Sequence, residues 1–111
     1  MGFRKELENR EGKSPIIKLF GELDIHASVD FKEDVMKILE ENDDDIFLDF
    51  TDLDYIDSTG LGALISILKV AQEKEKKVYL KEVNERIRKL FKITQLEDMF
   101  EFVGEKKWIK K

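Results

Sequence analysis

Few residues of this chain have types and spacing that could do chemistry, and most combinations exclude themselves. Cysteine is absent and His26 is the only histidine, which removes disulfides, thiolate ligands, thiol catalysis and multi-histidine metal sites together. Ser58, His26 and an aspartate are the ingredients of a nucleophilic triad. However, Ile56-Asp57-Ser58-Thr59-Gly60 lacks the first glycine of a nucleophile elbow. Gly60-Leu61-Gly62 runs on into Ala63-Leu64-Ile65 without the third glycine of a dinucleotide site, and no phosphate-loop Gly-Lys-Ser/Thr occurs. The acid-rich run from Asp49 to Asp57 puts Leu53 and Asp57 where a calcium loop needs an oxygen ligand or a glycine. It reads as a solvated acidic edge. No metal, no cofactor and no catalysis are expected.

What remains is Ser58. As the N-cap of a helix starting at Thr59, it would satisfy a backbone N–H and contribute about 1 kcal/mol. Gly60 and Gly62 would then allow close packing of the first turn. As a hydroxyl beside unpaired N–H groups at the positive end of a helix dipole, it would also suit a phosphate. Asp57 opposes that by crowding a second negative charge against it. The residues leave both readings open.

These positions need elements to hold them. The chain has 111 residues, 41% hydrophobic and 41% charged. The first share excludes a disordered chain and the second a membrane protein. One domain spanning residues 1–111 is expected, able to bury roughly two-thirds of its unfolded surface. No apolar run approaches the roughly 18 residues of a transmembrane helix. Met1-Gly2-Phe3-Arg4-Lys5-Glu6 does not lead into the apolar stretch of a secretory signal, so a cytoplasmic location is expected. A net charge of −5 argues against nucleic acid as a direct partner. Glu40 to Asp57 holds nine acids and no Lys or Arg, whereas the tail Glu105 to Lys111 is basic.

Along the chain, Phe3 to Asn9 and Ile16 to Phe20 read as strands joined by the Glu11-Gly12-Lys13 turn into a hairpin, the second closed by Gly21. Ser28 reads as an N-cap ahead of Phe31, Val35, Ile38 and Leu39 at helical spacing, with a stop near Asn42. Ile46 to Phe50 reads as a short apolar strand with both faces covered, followed by a link through Leu53, Tyr55 and Ile56. Leu61, Leu64, Ile65, Leu68 and Ala71 give the next helix a buried face, and Ile67 with Val70 make it the central one. Lys77 to Leu80 reads as a strand. Asn84 caps a helix carrying Ile87, Leu90 and Phe91, and Met99 to Val103 forms a last short strand before a short basic helix. Strands alternating with helices predict an α/β domain with a mostly parallel sheet. Function in such folds gathers at the carboxyl ends of strands. Gly21-Glu22-Leu23-Asp24-Ile25-His26 and Tyr55 to Gly60 both fall at that edge.

Gly21-Glu22-Leu23-Asp24 after one strand and Asp57-Ser58-Thr59-Gly60-Leu61-Gly62-Ala63-Leu64 after another resemble the bacterial anti-sigma factor antagonist family with its STAS domain. The likeness spans nearly the whole chain in order and spacing, and the second motif is the more specific. Ile25-His26-Ala27-Ser28 departs from the Thr-Ala that many members carry there. The resemblance implies a sheet with helices packed mainly on one side. It also implies that a serine kinase, itself the anti-sigma factor, phosphorylates Ser58. The unmodified form would bind that kinase and free the sigma factor, and a metal-dependent serine phosphatase would restore it. Asp24, Ile25, His26 and Ser28, with Asp57, Ser58, Thr59, Gly60 and Leu61, are the expected partner-binding residues, Leu61 as an apolar anchor. Two alternatives stand beside this reading. One is a two-component receiver phosphorylated on Asp49; the other is a STAS module acting as a scaffold or small-ligand binder.

Overall fold

The computed structural model describes residues 2–9 and 12–104. Its elements are β1 (Phe3–Glu8), β2 (Ile16–Leu23), α1 (Ser28–Glu41), β3 (Ile46–Ile56), α2 (Ser58–Glu73), β4 (Val78–Lys81), α3 (Glu85–Ile93), a 3₁₀ turn (Glu97–Met99) and β5 (Glu101–Val103). The predicted basic helix of the tail lies outside the described residues, as does Glu11 of the first turn.

The strands form one sheet in the order β1-β2-β3-β4-β5. β1 pairs antiparallel with β2, and every later pair is parallel. Because the order never reverses, right-handed crossovers send each connecting helix to the same face. Phe31 and Val35 of α1, Leu64 and Ile67 of α2, and Ile87 and Phe91 of α3 all join one buried cluster. They pack there on Ile17, Leu19, Leu48 and Leu80 of the sheet. The expectation of helices on one side holds. Among the described residues no helix covers the other face, which corrects the reading of β3 as covered on both sides. Phe47 and Asp49 are only half-buried, and the Phe47 ring stacks on Tyr79 at 4.7 Å between centroids.

Two strands run further than the sequence suggests. β2 continues through Gly21, whose φ of +92° puts a hypothetical Cβ 2.0 Å from the Gly2 carbonyl oxygen, a conformation and approach that only glycine tolerates. β3 continues from Phe50 to Ile56 and absorbs the stretch read as a link. Between the Ile17↔Leu48 and Leu23↔Ile56 pairs, β3 uses two more residues than β2, taken up at two register shifts. Both strands therefore end level. That brings Asp24 and Asp57, 33 residues apart, onto neighbouring turns, and the Asp57 N–H donates to the Leu23 carbonyl at 3.3 Å.

Candidate functional site

Two strand-to-helix turns meet at this edge. At the second, the N-cap of α2 is Asp57, not Ser58. Its Oδ1 accepts from the Thr59 N–H at 2.9 Å, the Gly60 N–H at 3.1 Å and the Thr59 hydroxyl at 2.6 Å. Burial alone would push the Asp57 carboxyl up. The Thr59 hydroxyl and the N–H groups of Gly60, Thr59 and Ile25 outweigh it and hold its pKa below the ordinary aspartate value. A carboxylate with two helix N–H groups and a hydroxyl on one oxygen is a stronger cap than a serine hydroxyl.

The consequence falls on Ser58. It is the first residue of α2, exposed, and among the described residues its hydroxyl has no hydrogen-bond partner. Thr59 beside it is half-buried and engaged twice, donating to Asp57 and meeting the Ser28 hydroxyl at 3.1 Å. Gly60 is buried, and a Cβ there would sit 2.6 Å from the Leu23 carbonyl oxygen and 2.7 Å from an Ile56 side-chain carbon. That glycine is required by close approach. Gly62 is not, since a Cβ on it would meet nothing within 4 Å, which corrects the packing role read for it.

At the first turn, α1 has no side-chain cap. Ala27 holds the cap position, so Ser28 is not the N-cap the sequence suggests. It is the first helical residue, 6% exposed, with its hydroxyl on the Asp24 carbonyl at 2.6 Å. The same carbonyl takes the Ser28 N–H at 2.9 Å. The Asp24 carboxylate turns inward on its own loop to accept the His26 N–H at 3.0 Å. Ile25 and His26 are exposed.

The predicted residues thus share one edge but differ in what they offer. Leu61 is 5% exposed and belongs to the core, so it is no free-standing apolar anchor. Ile25 at 63%, Val29 at 58% and Tyr55 at 49% are the exposed apolar side chains of this region; the sequence placed Tyr55 at this edge but not among the expected partner-binding residues, and did not single out Val29. A groove of about 440 Å³ opens between the start of α2 and α3, with Ser58 on its lip and Tyr55, Leu61, Ile87 and Leu90 along its walls. Arg86 lines it too, its Nη2 donating to the Asp54 carbonyl at 3.0 Å. Nothing in the spacing of Arg86 pointed to this edge; only the fold brings it there.

Asp49, the phosphoacceptor of the receiver alternative, lies elsewhere. β3 runs on to Ile56 beyond it, and its carboxylate accepts from the Thr51 N–H and hydroxyl on the open face. A receiver is doubly wound, with strand order 2-1-3-4-5, which differs from the order here. Among the described residues, no cluster of His, Asp and Glu is arranged to hold a metal, and no helix is long and apolar enough to cross a membrane.

Residues 4–109 match the STAS domain family. The anti-sigma-B factor antagonist of Staphylococcus epidermidis is 35% identical over 83 residues, covering 75% of this chain and 77% of that protein. Among solved structures, the anti-sigma factor antagonist SpoIIAA in its unphosphorylated form superposes with a TM-score of 0.73 at 22% identity, covering 93% of this chain and 90% of that one. The Bacillus cell fate determinant SpoIIAA in the phosphorylated form gives 0.72 at 22% identity, over 96% and 95% of the two chains.

Proposed function

The chain belongs to the STAS domain family of anti-sigma factor antagonists, and from that premise we propose that it is a cytoplasmic switch protein, one STAS domain over residues 1–111. Its unphosphorylated form binds an anti-sigma factor serine kinase and frees the sigma factor. The kinase transfers the γ-phosphoryl of ATP to the Ser58 Oγ, which loses its proton as ADP leaves. A metal-dependent serine phosphatase restores the hydroxyl by water attack, releasing inorganic phosphate. The chain itself catalyses nothing.

One observation carries the reading: Ser58 is exposed and, among the described residues, its hydroxyl is unbonded at a helix start because Asp57 has taken the cap. Thr59, the rival hydroxyl, is half-buried beside the Ser28 hydroxyl and donates to Asp57, a bond it would have to break to enter a kinase. The docking surface combines Asp24, Ile25 and His26 with Asp57, Ser58 and Thr59. Ile25 supplies the apolar contact inside a charged rim. Ser28, Gly60 and Leu61 act from beneath by fixing that surface. A phosphate adds about −1.5 to −2 charges, and the docking kinase must desolvate them. An uncompensated interfacial charge can cost several kcal/mol, or about a hundredfold and more in affinity.

The test is a kinase assay with labelled ATP joined to a binding measurement. Label is expected on wild type and absent from S58A. S58A is expected to bind the kinase constitutively and S58D about a hundredfold more weakly. Label on Thr59, or equal binding by both variants, would overturn the reading.

A further inference from the structure

We propose that Arg86 is the receptor for a phosphate on Ser58, its guanidinium closing over the lip of the groove between α2 and α3 to bind the phosphate oxygens. The inference rests on the reading of Ser58 as a phosphoacceptor and adds a second residue to it.

A phosphate at a helix start ordinarily finds its partners in the unpaired backbone N–H groups. At α2 most of those groups are already taken, which leaves, among the described residues, the N–H of Ser58 itself. The Asp57 carboxylate holds the Thr59 and Gly60 N–H groups, and the Leu61 N–H is bonded to the Asp57 carbonyl at 3.0 Å. The helix end is therefore largely neutralised before a phosphate arrives, and Asp57 adds its own negative charge beside it. One remaining N–H cannot balance a dianion, and a cationic donor nearby supplies what the helix end lacks.

Among the described residues, Arg86 is the one cation lining the groove that Ser58 borders. It is exposed on the first turn of α3. The bond from its Nη2 to the Asp54 carbonyl at 3.0 Å already carries the side chain across from α3 to the end of β3, four residues ahead of Ser58. That bond uses one of the five N–H donors of a guanidinium. The remaining donors form the flat fork that fits two phosphate oxygens at once. The walls around it, Tyr55, Leu61, Ile87 and Leu90, are largely apolar and, among the described residues, offer the phosphate no competing cation. Clamped there, the phosphoserine would lie across the mouth of an apolar groove that stands open when Ser58 is unmodified.

The experiment installs phosphoserine at position 58 during translation, so that no kinase is involved, and follows its second ionisation by ³¹P NMR. In wild type the midpoint is expected roughly half a pH unit below that of R86Q, since an adjacent cation favours the dianion. R86K, which keeps the charge without the fork, is expected between the two. The Arg86 Nε–H resonance should move downfield on phosphorylation, and unphosphorylated R86Q should melt like wild type. Equal midpoints in wild type and R86Q, or an Arg86 resonance that does not move, would overturn the proposal. Failure of Ser58 as the cellular phosphoacceptor has a separate signature: no label in the kinase assay, with this titration unaffected.

Discussion

Ser28 and Ser58 occupy the same place in two successive units of the fold. Each is the first residue of a helix that follows a parallel strand, and the two turns lie side by side at one sheet edge. Their hydroxyls have opposite fates. Ser28 is buried, donates to the Asp24 carbonyl and meets the Thr59 hydroxyl. Ser58 is exposed and has no partner among the described residues. The difference lies in the preceding residue and in the neighbouring turn. Ala27 cannot cap α1, so that turn is closed by the Asp24 carbonyl, which draws the Ser28 hydroxyl inward. Asp57 caps α2 with its carboxylate and leaves the Ser58 hydroxyl with no structural task. Two serines at equivalent positions are thus one a fastener and the other a free hydroxyl.

The comparison breaks most completely at Gly60, which seats the start of α2 against Leu23 at the end of the strand leading to the first turn. G60A forces a Cβ against the Leu23 carbonyl oxygen, and a loss of about 3 kcal/mol in urea unfolding is expected. G62A, with open space around its new methyl, should be neutral or stabilising by about 0.5–1 kcal/mol. Similar losses from both substitutions would refute the close-approach account of Gly60.

Removing the cap comes next. D57A should cost about 1–2 kcal/mol at neutral pH, and the cost should depend on acidity. The Asp57 pKa is lower in the folded chain than its ordinary value. Its ionised form therefore contributes stability that is fully present above about pH 4 and is lost as pH falls through the lowered folded value. Unfolding of wild type and D57A at pH 7 and at pH 3 should give a smaller difference at pH 3. A difference that stays constant would remove the carboxylate from the account.

The two serines give the smallest and most pointed test. S28A should lose about 1 kcal/mol, because it deletes a hydrogen-bonded hydroxyl in a nearly buried position. S58A should lie within about 0.5 kcal/mol of wild type. Equal costs would erase the distinction between fastener and free hydroxyl.

Much of this molecule was legible in the residues. The alternation of strands and helices, the antiparallel start, the stop of α1 at Asn42 and the Asn84 cap, which accepts the Ile87 N–H at 2.8 Å, follow from periodicity and local side-chain chemistry. Those forces act within a few residues. β3 resisted because its buried positions run Ile46, Leu48, Phe50, Leu53 and Ile56. The two register shifts stretch the two-residue period to three, and the alternation that marks a strand fades after Phe50. Gly21 likewise reads as a terminator, yet its positive φ lets β2 continue beneath the Gly2 carbonyl.

The candidate site divides in the same way. Its motifs, Gly21 to Asp24 and Asp57 to Leu64, stand in the sequence, and so does the choice of Ser58. Which side chain caps α2, which serine is buried, why Leu61 is core while Ile25 is exposed, and how Arg86 comes to the lip of the same groove were decided only by the tertiary structure. The physical reason is competition. Asp57 and Ser58 are both competent caps by type, and the sequence ranks them nearly alike. The level ending of β2 and β3 brings the Asp57 N–H to the Leu23 carbonyl and the Ser28 hydroxyl to Thr59. Those contacts, between residues more than thirty positions apart, fasten Asp57 and Thr59 inward and leave Ser58 facing solvent.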